Sequence, residues 1–205
     1  MISDASISVR PLRLDEVDLR INYFHDATDE FLARLGVDRT RLPSPEAWRA
    51  WYRDDYARPI SERENYAVAW ELDGRVVGFC AVDRISFGQE AFLHLHMLGT
   101  GDRRRGLGTR FVRLSAHHFV DVLRLQRLFS EPNAFNQAPN RTLQRAGFRY
   151  MYTHHATPGP LNHPQPVTRW VLDTGRDERW GSNPSTQSAD GIAGDVRLDA
   201  GVHGA

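Results

Sequence analysis

The stretch from Ala91 to Phe148 constrains the fold of this chain more than any other. It opens with an apolar run, Ala91–Leu98, which has the length and composition of a buried strand. A turn and a basic loop with glycines follow, and helical periodicity then runs from Thr109 to about Val122. The start of a helix gathers unpaired N–H groups and the positive end of the helix dipole. This strand–loop–helix order therefore predicts an anion site at the helix start.

The basic loop is short and combines arginines with glycines. It consists of Arg103, Arg104, Arg105, Gly106, Leu107, Gly108 and Thr109. The glycines lack Cβ, so a phosphate could come close to the backbone. The loop is not a P-loop, because the chain has no lysine, and not a dinucleotide fingerprint, because Phe111 stands where the third glycine would be. The loop alone fits either a phosphate site or a solvated basic turn, and it leaves open which arginine would contact a phosphate.

A second strand and a second helix complete the stretch. The strand covers Gln126–Glu131, and a short helix runs from Ala138 to Ala146, where Gly147 ends it. With these elements in place, the chain resembles the GCN5-related N-acetyltransferases, the GNAT superfamily. Arg103-x-x-Gly106-x-Gly108 matches their pyrophosphate-binding loop, and Asn136, before Gly147-Phe148, matches the asparagine of their N…GF segment. The resemblance covers about residues 65–172.

The resemblance carries expectations about fold and reaction. It implies an α/β (α+β) fold with a central mixed, mostly antiparallel sheet of six to seven strands, splayed at the central strand and flanked by helices. It implies acetyl-CoA as co-substrate and a primary amine as acceptor, which attacks the thioester directly in a ternary complex. The acceptor is either a small-molecule amine or a peptide N-terminus. The donor-binding residues that it implies are Met97, Leu98, Arg103, Arg104, Arg105, Gly106, Leu107, Gly108, Thr109 and Asn136.

Two histidines on the central strand are candidates for the general base. His94 and His96 alternate with apolar residues, so both face the same side of the sheet. Imidazole titrates near neutrality, which suits base catalysis. The pattern resembles the arylalkylamine N-acetyltransferases, a GNAT family with histidines on this strand: His94 falls on one of its two histidine positions, and Phe92 falls on the other. Glu131 is a further candidate, acting directly or through water. The alternatives are a hydrogen-bonded core histidine and a salt bridge of Glu131 to a neighbouring arginine.

One position departs from the family pattern. Many relatives carry a tyrosine four residues before the glycine of the Gly-Phe pair, and this chain has Leu143 there. The proton donor to the leaving thiolate is therefore open among water, Ser130, Tyr150 and Tyr152. The departure resembles the branch of ribosomal-protein N-terminal acetyltransferases, which favours a peptide N-terminus as acceptor. It also motivates an alternative function, a non-catalytic protein of GNAT fold that binds acyl-CoA or a small ligand.

The remaining elements flank this stretch on both sides. A first strand is predicted over Ser6–Pro11, and three helical segments are predicted before a hairpin that turns at Asp73-Gly74. A last hairpin pairs residues 149–155 with 166–173, and its proline-rich connection predicts a stiff loop that shapes a pocket. Aromatic side chains of the helical segments predict either packing onto the sheet or a wall of the acceptor site; they are Tyr23, Phe24, Phe31, Trp48, Trp51, Tyr52 and Tyr56.

Composition and residue spacing indicate the number of domains, the classes of partner and the compartment to expect for this chain. Residues 1–173 are predicted to form one domain, and residues 174–205, poor in apolar runs, a disordered tail. Zero net charge gives no indication of nucleic-acid or membrane binding. The single cysteine, Cys80, and the lack of a targeting segment indicate the cytoplasm. The pairs His117-His118 and His154-His155 lack metal-ligand spacing, so no metal is predicted. A homodimer is left open.

Overall fold

A seven-stranded sheet organises the part of the chain that the structure describes, residues 6–99 and 106–174 of a computed structural model. Its strands are β1 Ile7–Pro11, β2 Asn65–Leu72, β3 Arg75–Ser86, β4 Glu90–Met97, β5 Arg127–Ser130, β6 Arg149–Ala156 and β7 Gln165–Asp173. The strand order is β1-β2-β3-β4-β5-β7-β6, and every neighbouring pair is antiparallel except β4–β5. This confirms the predicted mixed, mostly antiparallel sheet. The predicted roles of Arg103, Arg104 and Arg105, and of the tail from residue 175, lie outside the described residues.

Helices pack on both faces of this sheet. They are α1 Val17–His25, α2 Asp29–Leu35, α3 Pro45–Ala57, α4 Leu107–Leu123 and α5 Gln137–Ala146, with single 3₁₀ turns at Leu14–Glu16, Arg39–Arg41 and Ile60–Glu62. Local signals set their ends: the Ser44 hydroxyl accepts the Ala47 N–H at the start of α3, and Gly36, at φ 71°, ends α2. No helix in the described ranges is long and apolar enough to cross a bilayer.

The larger hydrophobic core lies between the sheet and the helices α4 and α5. The indole of Trp70 stacks on Phe111 with ring centroids 5.1 Å apart, and its N–H donates to Ser115 Oγ at 2.8 Å. Leu143, at the position where many relatives carry tyrosine, is fully buried in this core. Cys80 is buried there too, and burial raises the pKa of its thiol. Both residues therefore stabilise the fold, and neither reaches a binding surface.

A smaller core on the opposite face holds α1, α2 and α3 against the sheet. Ile21, Phe24, Trp48 and Tyr52 of the helices pack together with Phe79 of β3. Because β3 and β4 are paired with Phe79 opposite His96, the face that carries Phe79 is also the face that carries the β4 histidines. The aromatic helices therefore cover the histidine side of the sheet.

The sheet opens between β4 and β5. The two strands pair only from Glu90↔Arg127 to Phe92↔Phe129. Immediately beyond, the Ser130 hydroxyl donates to the Leu93 carbonyl at 2.7 Å, and a side chain thus replaces the next ladder bond. β4 continues to Met97, whereas β5 ends at Ser130. The predicted splay at the central strand is present, and it opens the sheet beside His94.

Candidate active site

A cavity of about 740 Å³ lies where β4 and β5 part, under the aromatic helices. Trp48 and Trp51 of α3 line one side, and His94 lines the sheet side. Asn136, at the start of α5, and Glu131 line the end next to β5. The cavity therefore gathers candidate residues that are far apart in the sequence. Of the seven aromatic residues of the helical segments, Phe24, Trp48 and Trp51 line this cavity, whereas Tyr52 is fully buried in the small core.

The connection between β6 and β7 closes one side of this cavity and is fastened to the end of α2. Asn162 Nδ2 donates to the Gly36 carbonyl at 2.9 Å, and Gln165 Nε2 donates to the same carbonyl at 3.0 Å. The Asp38 N–H donates to the Leu161 carbonyl at 2.8 Å. The connection lines the cavity and is held by these bonds, and its stiffness stays a prediction from its prolines.

His94 has a carboxylate neighbour that sequence reasoning missed. Its Nε2 lies 3.0 Å from Asp83 Oδ1, on the neighbouring strand β3. The two atoms are at ion-pair distance, although the Nε2 atom makes no aligned hydrogen bond to a described residue. Burial opposes ionisation of Asp83, but the nearby charges of His94 and Arg84 and the hydrogen bond from Arg84 outweigh it and hold the pKa of that carboxyl below its ordinary value. Regular pairing of β3 with β4 is interrupted just after Asp83, and Arg84 there adopts φ 48°. The structure thus places an ionised carboxylate against the imidazole of His94.

His96 lies deeper, in an aromatic cluster. Its ring stacks on Phe79 at 4.8 Å and meets Tyr23 and Phe24 edge-on at 5.0 and 5.4 Å. Burial, with the nearby charges of Arg20 and His94, lowers its pKa well below the ordinary value. Its Nδ1 is buried without a hydrogen-bond partner among the described residues. His96 is therefore a neutral imidazole at physiological pH, with one polar atom that the described part of the protein leaves unused.

Glu131 is held by cations on two sides. Its carboxylate, 1% exposed, accepts from Arg169 at 2.7 Å and contacts Arg84 at 3.4 Å and His154 Nε2 at 3.4 Å. The guanidinium of Arg84 also lies over the ring of Phe92. The salt-bridge alternative for Glu131 therefore describes the contacts that the structure shows.

The described residues predicted to bind the donor lie at the start of α4 (Gly106 to Thr109), at the end of β4 (Met97 and Leu98) and before α5 (Asn136). α4 begins at Leu107, two residues earlier than predicted, because Gly106 adopts φ 73° and starts the helical turn. A Cβ on Gly108 would lie 3.7 Å from Thr142 of α5, an ordinary contact distance. Asn136 precedes α5 with its side-chain amide unbonded among the described residues, while its carbonyl accepts from Asn140.

Met97 and Leu98, two of the implied donor-binding residues, have backbone N–H groups at the end of β4, where the N–H could approach a bound thioester. The Leu98 N–H donates to the Val77 carbonyl of β3 at 2.9 Å. It is committed to the sheet, and this corrects the expectation that it could face the thioester. Bonds to one neighbour alternate along an antiparallel strand, so the Met97 N–H is directed away from β3, towards the splay.

The candidates for proton donor to the thiolate are also separated by the structure. Ser130 lines the cavity, but its hydroxyl donates to Leu93. Tyr150 and Tyr152 are exposed on β6 and do not line the cavity, and the Tyr152 hydroxyl accepts from Arg169 at 2.9 Å. Within the described residues, no group of three or more His, Cys, Asp or Glu side chains could hold a metal ion.

Comparison with known proteins agrees with this architecture. A family model described as "Acetyltransferase (GNAT) domain" matches residues 7–149. A search of curated protein sequences found no match. Three solved structures among those similar to this chain are 12–15% identical to it, each with a TM-score of 0.64.

The first of the three structures is aminoglycoside acetyltransferase AAC(6′)-Ib with coenzyme A, at 15% identity over 86% of this chain and 100% of that chain. The second is RimL, a ribosomal L7/L12 α-N-protein acetyltransferase, with coenzyme A, at 13% over 84% and 96%. The third is spermidine N-acetyltransferase from Vibrio cholerae with CoA and spermine, at 12% over 82% and 96%. At such identities the structures show a common fold. Because the family model spans most of its length, the chain belongs to the GNAT acetyltransferases.

Proposed function

We propose that this chain is an acetyl-CoA-dependent N-acetyltransferase that acetylates a primary amine by direct attack in a ternary complex, with His94 as general base. Membership of the acetyltransferase family supports acetyl-CoA as the co-substrate. The observation that carries the assignment of the base is the 3.0 Å contact between His94 Nε2 and the ionised Asp83, in the cavity beside the splay.

The contact with Asp83 fixes what His94 can do. A carboxylate next to Nε2 favours the tautomer with its proton on Nε2, which leaves the Nδ1 lone pair to accept a proton. The amine nitrogen attacks the thioester carbonyl, the C–N bond forms, and His94 takes the ammonium proton. The C–S bond then breaks and CoA leaves as a thiolate. Asp83 stabilises the imidazolium that forms, and base catalysis of this kind contributes roughly 10²–10⁴-fold in rate.

The other two candidate bases fit this role less well. His96 has a depressed pKa, so it holds a proton poorly near neutral pH. Glu131 is bonded to Arg169 and contacts Arg84, so protonation would break contacts with two guanidinium groups. His94 has both a carboxylate partner and a place in the cavity wall.

The acceptor that the cavity suits is a small amine or the first residues of a peptide. A space of about 740 Å³ must admit the acetyl end of the donor together with the acceptor amine. The indoles of Trp48 and Trp51 supply apolar surface for the carbon skeleton next to the amine. The solved relatives named above act on an aminoglycoside, a protein N-terminus and a polyamine, so the fold alone does not choose among these acceptors.

Two measurements test the proposal. Calorimetric titration should show acetyl-CoA binding to the free protein, and no binding at millimolar ligand would contradict the donor assignment. A panel of amines and N-terminal peptides should then release free CoA in an acceptor-dependent manner. Donor binding without turnover for any member of the panel would favour the alternative function, a protein that binds acyl-CoA without catalysis.

A further inference from the structure

Arg20, on α1, carries a guanidinium in the cavity wall that has no carboxylate partner among the described residues. Its Nη1 donates to Asn65 Oδ1 at 2.9 Å. Its guanidinium carbon lies 5.7 Å from the ring centre of Tyr52 and 5.8 Å from that of Phe79. Its Nε is buried without a hydrogen-bond partner in the described ranges. A guanidinium has five N–H donors, so most of those of Arg20 are not used by this part of the protein.

The carboxylates of the cavity do not compensate this charge. Asp83 is 3.0 Å from His94, Glu131 is 2.7 Å from Arg169, and Glu64 is 2.6 Å from Arg58. The remaining carboxylate, Glu62, is exposed and lies beyond ion-pair distance of Arg20.

The other arginines of the cavity are each bonded elsewhere. Arg41 lies 3.5 Å from Asp38, and Arg84 contacts Glu131. Arg63 lies over the ring of Tyr56 and donates to the carbonyls of Arg58 and Tyr56. Ring faces attract a guanidinium, but its buried N–H donors remain costly unless acceptors or an anion compensate them. Arg20 is thus the cavity charge near which the described residues place the Asn65 amide oxygen and the Tyr52 hydroxyl, and no anion within ion-pair distance.

The sheet register shows where Arg20 lies relative to the proposed base. Asn65, Asp83 and Phe92 form one row across β2, β3 and β4, and directly paired residues point to the same face. His94 is the next residue of β4 on that face. Arg20 is hydrogen-bonded to Asn65 of β2, and its guanidinium lies 5.8 Å from the ring of Phe79 of β3. It is therefore between one and two strand spacings from β4, roughly 5–10 Å. An anion bound at Arg20 and an amine at His94 would be separated by several bonds.

From this arrangement we propose that Arg20 binds an acidic group of the acceptor. This rests on the function proposed above and specifies its substrate class: a primary amine that carries a carboxylate several atoms away, such as an ω-amino acid or a short acidic peptide. A bidentate guanidinium–carboxylate contact would use the donors that are not bonded within the described residues. Polyamines, which would bring a second cation to Arg20, are poor acceptors.

The first experiment measures acceptor preference. Wild-type protein is assayed for CoA release with 4-aminobutyrate and 6-aminohexanoate, with the amide of each, and with spermidine. The acids should exceed their amides at least tenfold in kcat/KM, and spermidine should be the poorest. Arg20→Gln should remove most of this preference through KM, because it loses the charge but keeps a group that can bond to Asn65. Arg20→Lys should retain part of the preference.

Arg49→Gln is the matched control. Arg49 lies on the neighbouring helix α3, is paired with Asp18 at 2.7 Å, and is not part of the cavity wall. The ratio of kcat/KM for the acids to kcat/KM for their amides should be the same in Arg49→Gln as in wild type. If wild type does not favour the acids over their amides, or if Arg20→Gln keeps the same ratio, the assignment of Arg20 is overturned while the acetyltransferase function stands.

The second experiment does not depend on turnover. The dissociation constants of 4-acetamidobutyrate and its uncharged amide are measured by tryptophan fluorescence for wild type and Arg20→Gln, after their melting temperatures are compared. The acid should bind at least tenfold more tightly to wild type, and the difference should disappear in the variant. Equal binding of acid and amide to wild type overturns the proposal. Arg20-dependent binding without turnover of any amine would support the anion site and reject the catalytic function.

Discussion

At the scale of single residues, the imidazole of His94 depends on a partner from another strand. Asp83 is eleven positions earlier in the chain and becomes its neighbour only because β3 and β4 pair antiparallel. The neighbouring His96 has the same residue type and faces the same side, yet it is buried among rings and neutral. Environment, rather than residue type, therefore separates the two histidines.

His94→Ala should lower turnover by about 10²–10⁴-fold while acetyl-CoA affinity stays near wild type, because the base acts on the amine and does not hold the donor. The base works only when it is neutral, so the wild-type rate should fall at acidic pH, and the variant should lose this acidic limb of the pH–rate profile. Steady-state kinetics as a function of pH measure turnover and its acidic limb, and calorimetry measures acetyl-CoA affinity. His155→Ala, at an exposed position of β6, is the control. If His94→Ala keeps wild-type turnover and the same acidic limb of the pH–rate profile, the role of His94 is structural.

Asp83→Asn tests the partner separately, as a positioning residue. Removing the carboxylate charge disfavours the imidazolium, so the acidic limb of the pH–rate profile should move to lower pH. Turnover at neutral pH should fall by about tenfold or more, because the transition state gains positive charge on His94. A loss of rate with an unmoved limb would show that Asp83 does not act through His94.

At the scale of elements, the start of α4 packs beside Thr142 of α5, and the donor site is predicted at the start of α4. Gly108→Trp should raise the dissociation constant of acetyl-CoA at least tenfold, because a large side chain would occupy the space of the pyrophosphate. Gly108→Ala is the control, since its Cβ would only make an ordinary contact with Thr142. Titration calorimetry measures both. Unchanged affinity in a folded Gly108→Trp variant would exclude this loop as the donor site.

An ion pair joins the first strand to the turn before α1. Arg10 of β1 bonds both oxygens of Glu16 at 2.7 Å and also Glu71 of β2 at 2.8 Å. The hydrogen bonds of Arg10 lower the pKa of Glu16 against the opposing effect of burial. A carboxyl whose pKa is lower in the folded state stabilises the fold above its unfolded pKa, about 4.3, and this contribution is lost as pH falls through the folded value.

Glu16→Gln should accordingly reduce the free energy of unfolding by about 1–2 kcal/mol at pH 7, with the difference from wild type shrinking below about pH 4. Urea unfolding at several pH values measures it. Glu30→Gln, which removes an exposed pair with Arg34, should change little. A difference that stays constant from pH 7 to pH 3 would show that the effect does not come from ionisation of Glu16.

At the scale of the whole molecule, the described part of the fold ends at Thr174, directly after the last strand of the sheet. Its N–H donates to the Gln126 carbonyl at 3.0 Å, and its hydroxyl donates to the Leu125 carbonyl at 2.9 Å. Truncation after Thr174 keeps these bonds and removes a segment with little apolar content. The melting temperature should shift by less than about 2 °C, which corresponds to less than about 1 kcal/mol. Acetyl-CoA affinity should also be retained, and a large loss of either would mean that the tail docks on the domain.

Much of the fold could be predicted from the sequence because its signals are local. Asp73-Gly74 between two strand-like runs predicted the hairpin of β2 and β3, and Ser44 with Pro45 predicted the start of α3. The splay was implied by the family resemblance and is confirmed by the short pairing of β4 with β5. The ends of elements were less accurate where a glycine conformation decides them, as at Gly106 before α4.

The sequence by itself determined the family, the order of the elements and the strand that carries the histidines, because periodicity, caps and spaced motifs are properties of neighbouring residues. Only the tertiary structure decided which groups meet across strands. It paired Asp83 with His94, surrounded Glu131 with cations, used the Leu98 N–H in the sheet, and left Arg20 in the cavity without a described carboxylate. Charge pairing and burial depend on distances between residues remote in the chain, and strand register and helix packing set those distances.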